Sequence, residues 1–435
     1  MDPGLSGYRT ALDALFARTG ATSIFGLERV EALLQLLGDP HLSVPVLHVA
    51  GTNGKGSVVE TLYTLLRAKG MRVGKYTSPH LIDFRERVIV DDRQIGEADV
   101  TEFLSRWEAD TARLGATFFE TTTALAFDYF ARLEPDVVLI ETGLGGRLDA
   151  TNVVRPLVAG VTSIAVDHTE YLGEDPAQIA AEKAGIFKAG APAVIGSAPQ
   201  AAYDALLATA AARGATPVVQ ALREYQVADV RVSLEGTRFT VNNRGQEFEL
   251  LTGLIGEPQA TNAVVALAML DAAGGRYAVH PGEAAEVLPR VRLRGRFERI
   301  GKFVLDVAHN PDGVRALANS LKAIRPPGPV AALVGVLADK NWREMIDVLA
   351  GAVDRIVLTS PVSAPANRAW DPGAAMEYAR DRGWQCELER DFYRAMELAS
   401  RIGETVVVTG SFHTVGDVLA SGHPLIRLPL SPSGA

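Results

Sequence analysis

Ten consecutive residues, His48-Val49-Ala50-Gly51-Thr52-Asn53-Gly54-Lys55-Gly56-Ser57, constrain this chain more than any other stretch. They follow an apolar run, 44–50, that reads as a strand, and they open a helical pattern over 56–69. Glycines let the backbone curl so that several N–H groups converge on one anion. A helix N-terminus adds the positive end of its dipole. Lys55 can reach terminal phosphates, and the Ser57 hydroxyl is placed to bind Mg²⁺. The usual spacing is G-x-x-x-x-G-K-[ST]; here Val49 stands at the first glycine position and Gly56 separates the lysine from the serine. The alternative is a glycine-rich strand-to-helix turn with an incidental lysine.

A strand, a phosphate loop and a helix in that order imply an α/β sheet, and the rest of the chain keeps the rhythm. Further strands are expected at 72–77, 136–141, 157–164 and 193–195, with helices at 97–113, 122–133 and 176–188. Alternating residues over 225–251, with a turn at Asn242-Asn243-Arg244-Gly245, predict an antiparallel hairpin. Helices over 259–273 and 282–291 close this half. A second series follows, with strands at 303–307, 330–336, 355–359 and 405–409 and helices at 311–324, 342–353, 372–382 and 392–402. The chain has 435 residues, and single cores stop growing at roughly 250–300, so two domains are expected. We place them at 1–295 and 296–435: a mostly parallel phosphate-loop sheet with flanking helices, then a smaller Rossmann-like α/β domain.

Composition removes several classes of function. Lys plus Arg number 43 against 52 Asp plus Glu, a net charge of −9, and the segment from 296 onward is balanced, so the acid excess lies in the first domain. That argues against a nucleic-acid binder. No apolar run approaches the roughly 20 residues that span a bilayer, and the N-terminus has no secretory pattern. One cysteine, Cys386, excludes an intrachain disulfide framework. We expect a cytoplasmic protein.

Glu141 ends the apolar run Asp136-Val137-Val138-Leu139-Ile140, where open α/β sheets put their ligand chemistry. A carboxylate there suits Mg²⁺ beside phosphates, or else caps the glycine-rich turn that follows. His168 follows another strand end, although imidazole is not a favoured Mg²⁺ ligand. Lys183 shares a helix face with Ile179, Ala180, Ile186 and Phe187. A lysine on such a face must pair, snorkel or lose its charge. A buried salt bridge with Glu141 or Asp167 is one outcome.

The G-T-N-G-K-G-S loop resembles that of the Mur ligase family and, more narrowly, of its folylpolyglutamate and dihydrofolate synthases. The likeness continues in order through Tyr76-Thr77-Ser78-Pro79-His80-Leu81 with Phe84-Arg85-Glu86-Arg87, and through Glu141-Thr142-Gly143-Leu144-Gly145-Gly146-Arg147-Leu148-Asp149-Ala150-Thr151-Asn152. It includes Asp167-His168-Thr169, Glu182-Lys183-Ala184-Gly185-Ile186, Gly295-Arg296-Phe297-Glu298, Asp306-Val307-Ala308-His309-Asn310-Pro311 and Gly410-Ser411-Phe412-His413-Thr414-Val415.

The resemblance implies an ATP-dependent amide ligase that adds L-glutamate to folate, or also to dihydropteroate, through an acyl phosphate. It implies two Mg²⁺ ions held by Ser57, Glu141, His168 and a carbamylated Lys183 (N6-carboxylysine). ATP is expected on Gly51 to Ser57, with Asn262 at adenine, Arg296 clamping phosphate at the domain junction and Asp306 on the ribose side. His309 would face the incoming amino acid or the reaction centre. Ser411 and His413 are expected to bind glutamate, and Ser78, Pro79, His80, Arg85 and Arg147 to lie on the acceptor side. The bland readings are a helix start at Asn310-Pro311 and ordinary salt bridges for the arginines. Rival functions are a Mur-type ligase for a UDP-linked cell-wall precursor, which should carry an extra N-terminal domain, and a nucleotide-binding regulator without ligation. We expect a monomer with small-molecule substrates and neither nucleic-acid nor membrane partners.

Overall fold

A computed structural model describes residues 3–18, 26–424 and 426. Its largest sheet joins β1 (Val46–Ala50), β2 (Val73–Tyr76), β3 (Val88–Val90), β4 (Arg93–Gln94), β5 (Val137–Glu141), β6 (Val158–Ser163), β7 (Ala193–Ser197) and β8 (Val218–Gln220) in the order β4-β3-β2-β5-β1-β6-β7-β8. All pairings are parallel except those of β3 and β4, which close the edge as an antiparallel hairpin. β1 and β5 are buried at every residue, as strands covered by helices on both faces should be. The chain leaves β1 toward β2 but leaves β5 toward β6, on the other side of β1. The strand order therefore reverses at β1, and the crevice at such a reversal is where open α/β sheets bind ligands. The register pairs Val49 with Glu141, so the phosphate loop and the strand-end carboxylate emerge side by side.

β9 (Tyr225–Ser233), β10 (Gly236–Asn243) and β11 (Gln246–Thr252) form a three-stranded sheet where the sequence predicted one hairpin. The expected turn is present at Arg244 (φ 54°) and Gly245 (φ 81°), and a second one lies at Leu234 and Glu235. The last sheet contains β12 (Glu298–Ile300), β13 (Phe303–Leu305), β14 (Val330–Val334), β15 (Arg355–Leu358), β16 (Cys386–Leu388) and β17 (Thr405–Thr409), ordered β12-β13-β17-β14-β15-β16. It is parallel apart from the β12–β13 pair.

The chain divides into two compact units, but not at a single cut. The first holds the described residues up to Ala228 with Phe239–Leu250 and Thr261–Val291; the second holds Asp229–Arg238, Leu251–Ala260 and the chain from Arg292. The expected boundary at 295 differs from this division at the two short stretches, which fall in or just after the three-stranded sheet.

Several helices differ from their expected bounds. The pattern over 97–113 breaks at Trp107 into Glu97–Arg106 and Glu108–Leu114. The helix expected from 122 starts a turn earlier, at Phe118, because Thr117 and Glu120 form a reciprocal capping box. Glu120 is buried and also pairs with Arg29 at 2.8 Å. Breaking such a pair strands a buried carboxylate, so Arg29→Ala should cost about 3 kcal/mol of stability, read as a lower urea midpoint at pH 7.

The helix expected over 176–188 ends at Lys183 and continues as a 3₁₀ turn, Ala184–Ile186. Gly185 lies so close to the preceding glycine-rich segment that a Cβ there would stand 2.3 Å from that of Arg147. Ile186 and Phe187 therefore lie beyond the α-helix, although both are fully buried as their apolar character demands.

Candidate active site

The phosphate loop is held from below by the end of β6. Asn53 O accepts from Thr162 Oγ1 at 2.6 Å and Ser163 Oγ at 3.0 Å, and Thr52 N donates to Ser163 O at 2.7 Å. The Thr52 hydroxyl donates to Ala165 O and accepts from Ala165 N. Sequence reasoning missed these braces; the only signal was a Thr-Ser pair at the end of a strand adjoining β1. Gly51 has φ 152°, and a Cβ there would lie 1.9 Å from Thr162 Oγ1. Gly54 has φ 85°, and its Cβ would meet Asn262 Oδ1 at 2.3 Å. Both positions need glycine, for backbone shape and for space. Asn262, buried, thus packs on the loop itself. Gly56 and the buried Ser57 lie in the first turn of the helix Lys55–Ala68, and Lys55 Nζ donates to Gly51 O at 3.0 Å and Thr52 O at 3.2 Å.

Lys183 is 4% exposed at the last residue of its helix. Burial, reinforced by the nearby Lys55 charge, lowers its amine to about 7, while Asp167 and Asp149 oppose the shift. Lys55, Lys183, Asp167 and Asp149 therefore share one electrostatic neighbourhood.

Glu141 is buried at the end of β5 and accepts from Ser78 N at 3.3 Å. His168, in the left-handed region at φ 53°, begins the short helix Thr169–Leu172. Its Nε2 is 3.9 Å from Asp167 Oδ2. Among the described residues no three of His, Cys, Asp and Glu form a ready metal cage. Buried oxygen donors at Ser57 and Glu141, beside a phosphate loop, instead fit Mg²⁺. That ion is characteristically held by one or two side chains together with phosphates and water.

Two candidate arginines are already engaged. Arg85 forks onto Asp83 at 2.8 and 3.0 Å and reaches Glu97 at 3.4 Å, while Arg147 pairs with Glu182 at 2.9 Å. Both are surface braces as the chain stands. The buried arginine is Arg87, whose Nε donates to His80 Nδ1 at 2.8 Å, leaving His80 neutral. Arg87 lies over Phe118, which stacks on the half-exposed Phe16 at 5.2 Å and 14°. Tyr76 adjoins Phe119, and Ser78 and Pro79 lead from this aromatic shelf to Glu141.

In the second unit, Asp306 is half-buried, with both carboxylate oxygens accepting backbone N–H groups, from Phe297 at 2.9 Å and Ala308 at 2.9 Å. Burial raises its pKa and Arg296 opposes this. Phe297 stands in the left-handed region at φ 47°, so Asp306 fixes a strained turn. The Arg296 guanidinium lies 5.4 Å from the Phe412 ring, and His309 packs on the same ring at 5.6 Å. His309 Nδ1 donates to Val307 O at 2.9 Å, so that nitrogen carries a proton. Asn310 caps the helix Pro311–Ile324, as its sequence suggests. Ser411 caps Phe412–Ala420, its hydroxyl accepting from Thr414 N at 3.0 Å, and His413 meets Ser363 Oγ at 3.0 Å. Burial lowers the His413 pKa.

Two family descriptions match this chain: the Mur ligase middle domain over residues 49–270 and the Mur ligase glutamate ligase domain over 295–412. The dihydrofolate synthase/folylpolyglutamate synthase of Escherichia coli is 35% identical over 91% of this chain and 90% of its own length. The structure of Mycobacterium tuberculosis folylpolyglutamate synthase complexed with ADP superposes with a TM-score of 0.87 at 32% identity, covering 95% of this chain and 98% of that one. The bifunctional synthase of Yersinia pestis, complexed with AMPPNP and a manganese ion, gives a TM-score of 0.82 at 33% identity over 95% of this chain and 97% of its own. With its phosphate loop, its strand-end carboxylate and likeness along nearly its whole length, this chain belongs to the Mur ligase family, in the branch of the folylpolyglutamate and dihydrofolate synthases.

Proposed function

We propose that this protein is an ATP-dependent ligase that joins the amine of L-glutamate to a carboxylate of folate or dihydropteroate. The observation that carries the reading is the neighbourhood at the carboxyl ends of β1 and β5. A phosphate loop with Lys55, the buried carboxylate of Glu141 and the charge-poor amine of Lys183 meet there, beside an aromatic shelf. The full-length likeness to glutamate ligases disfavours a UDP-linked cell-wall substrate and a regulator without ligation.

The phosphate-loop amides and Lys55 take the ATP phosphates, and Lys55 neutralises charge as the γ-phosphoryl group passes to the acceptor carboxylate. The acyl phosphate formed is attacked at carbon by the glutamate amine. The amide bond forms, the C–O bond to phosphate breaks, the amine loses a proton, and ADP and phosphate leave. Phe16, Phe118 and Arg87 provide a face for a flat aromatic acceptor. Arg85 and Arg147 reach a substrate carboxylate only by exchanging their present carboxylate partners. In the second unit Arg296 contacts phosphate, Asp306 shapes the turn on the ribose side, His309 faces the amino acid, and Ser411 and His413 recognise glutamate.

Mg²⁺, when bound, supplies charge neutralisation at the phosphates. Ser57 and Glu141 would hold one ion, and Glu141, His168 and a carbamylated Lys183 a second. Carbamylation needs the neutral amine: CO₂ adds to Nζ and one proton leaves. An amine near 7 is largely neutral at pH 8, whereas an ordinary lysine is not. On this reading the enzyme works as a monomer in the cytoplasm.

The test is direct. With ATP, Mg²⁺ and L-glutamate, mass spectrometry should find one or more glutamyl units added to tetrahydrofolate. Addition to dihydropteroate as well would make the enzyme bifunctional. No glutamyl gain on either acceptor rejects the proposal.

A further inference from the structure

His48 is fully buried in β1, three residues before the phosphate loop, and no step above uses it. Its Nε2 lies 2.9 Å from Thr151 Oγ1, and Thr151 Oγ1 lies 2.5 Å from Asp149 Oδ1. Asp149 also accepts from Thr151 N at 3.0 Å on Oδ1, and from Gly143 N at 2.9 Å and Leu144 N at 2.8 Å on Oδ2. Those four donors fill the acceptor sites of a carboxylate, so Asp149 remains ionised and has no lone pair to offer a metal. Burial raises its pKa, but three backbone amides and the Thr151 hydroxyl hold the charged form.

The direction of the chain follows from counting protons. An ionised Asp149 can only accept, so Thr151 spends its single hydroxyl proton on it. Thr151 must then accept from His48, which carries its proton on Nε2. His48 Nδ1 is left as a bare lone pair, buried without a partner. Protonating the ring would strand an N–H in the same place. Burial, with the Lys188 charge in support, accordingly lowers the His48 pKa to about 3. An unsatisfied buried polar atom costs about 1–3 kcal/mol. A leucine between Leu47 and Val49 would avoid that cost, so stability alone gives no reason for a histidine here.

The far end of the chain explains it. Two of the three amides held by Asp149 come two and three residues after Glu141, and the segment they begin lies on the end of the Lys183 helix. Arg147 N donates to Glu182 O at 2.8 Å, and Gly146 is so close that a Cβ would stand 2.6 Å from Lys183 O. Asn152 Nδ2 ties Arg147 O and Gly185 O together at 2.9 and 3.1 Å.

We infer that His48 is a positioning residue for the ligation. Donating to Thr151, it keeps the Thr151 hydroxyl on Asp149, and Asp149 keeps the glycine-rich segment in the one arrangement that aligns Glu141 with the Lys183 main chain. The inference rests on the proposed ligase reading for its kinetic consequence, but its geometry can be tested without turnover.

The experiment uses the full chain, with ¹⁵N-labelled histidine and four variants: His48→Leu, His48→Gln, Thr151→Val and the Leu/Val double variant. Glutamine places an amide donor near the Nε2 position, whereas leucine fills the space alone. The signal lost in His48→Leu should report a neutral Nε2–H tautomer from pH 5 to 8. An Nδ1–H tautomer or an imidazolium there would overturn the geometry even if the wild type proved not to ligate glutamate. Kinetically, His48→Leu should lower kcat about tenfold or more while KM for ATP moves less than about threefold, since the segment acts on alignment and not on ATP binding. His48→Gln should recover most of the loss. The double variant should be no slower than the slower single one, as for two links of one chain. Three results would each overturn the role: undiminished kcat in His48→Leu well below its melting temperature, glutamine no better than leucine, or losses that multiply in the double variant.

Discussion

Lys55→Ala is expected to lower turnover about a thousandfold while leaving the protein folded. The ammonium rests on Gly51 O and Thr52 O, at the mouth of the loop that would receive ATP. Transfer of a phosphoryl group needs positive charge where the transferred oxygens gather charge, and a thousandfold loss corresponds to about 4 kcal/mol of transition-state stabilisation. The fold should survive because the loop's shape does not depend on this side chain: Thr162, Ser163 and Ala165 brace Thr52 and Asn53 independently. Single-turnover ADP formation checks the first half of the expectation and a melting curve the second. Activity within tenfold of wild type would remove the phosphate loop from the mechanism.

The second large effect is at Lys183. If its task is that of a carboxylate made by CO₂, Lys183→Ala should lose about three orders of magnitude in turnover. Formate or acetate at millimolar concentration should restore part of it, and ammonium or methylamine should not. Rescue by the amines alone would mean that Lys183 works as a cation. Stability gives a separate readout with a defined sign. The native amine titrates near 7 and the unfolded one near 10.5, so between those values the unfolded chain binds more protons and native stability rises with pH. The cost of burying Lys183 is therefore greatest below pH 7 and fades toward pH 10. Lys183→Met should raise the denaturant midpoint more at pH 6 than at pH 9, and an equal gain at both would contradict a depressed amine.

Much of the architecture was legible because local chemistry and tertiary demand agree. Thr405–Thr409 is an unbroken β-branched run in a central strand, and Pro311–Ile324 starts on an Asn-Pro cap with a clear apolar face. Where the two disagree, the sequence is silent. The β3–β4 hairpin turns through Asp91 and Asp92 at φ 50° and 68°, a shape that glycine or asparagine usually announces. The helix Phe412–Ala420 was overlooked because Ser411 and His413 read as ligands, although Ser411 is also an ordinary N-cap.

The site shows the same division. Lys55, Glu141 and Lys183 could be picked out because each is a polar residue where a strand end or apolar face makes it conspicuous. Asp149 could not, since the way the glycine-rich segment folds back to bring the Gly143, Leu144 and Thr151 amides onto one carboxylate is not written in its spacing. Arg87 differs from Arg85 in sequence only by position, yet one is buried against an aromatic ring and the other is a surface pair.

The discontinuity of the second unit restricts how this family can be recombined. Its residues come from three separate stretches, two of them short and lying in or just after the three-stranded sheet. A crossover between relatives at residue 295 would carry across the long stretch and leave Asp229–Arg238 and Leu251–Ala260 from the other parent. Such a chimera would have to reconcile two lineages inside one folding unit, so inheritance of the whole chain is the conservative path. Exchange of modules between relatives would succeed only when both short stretches travel with the third.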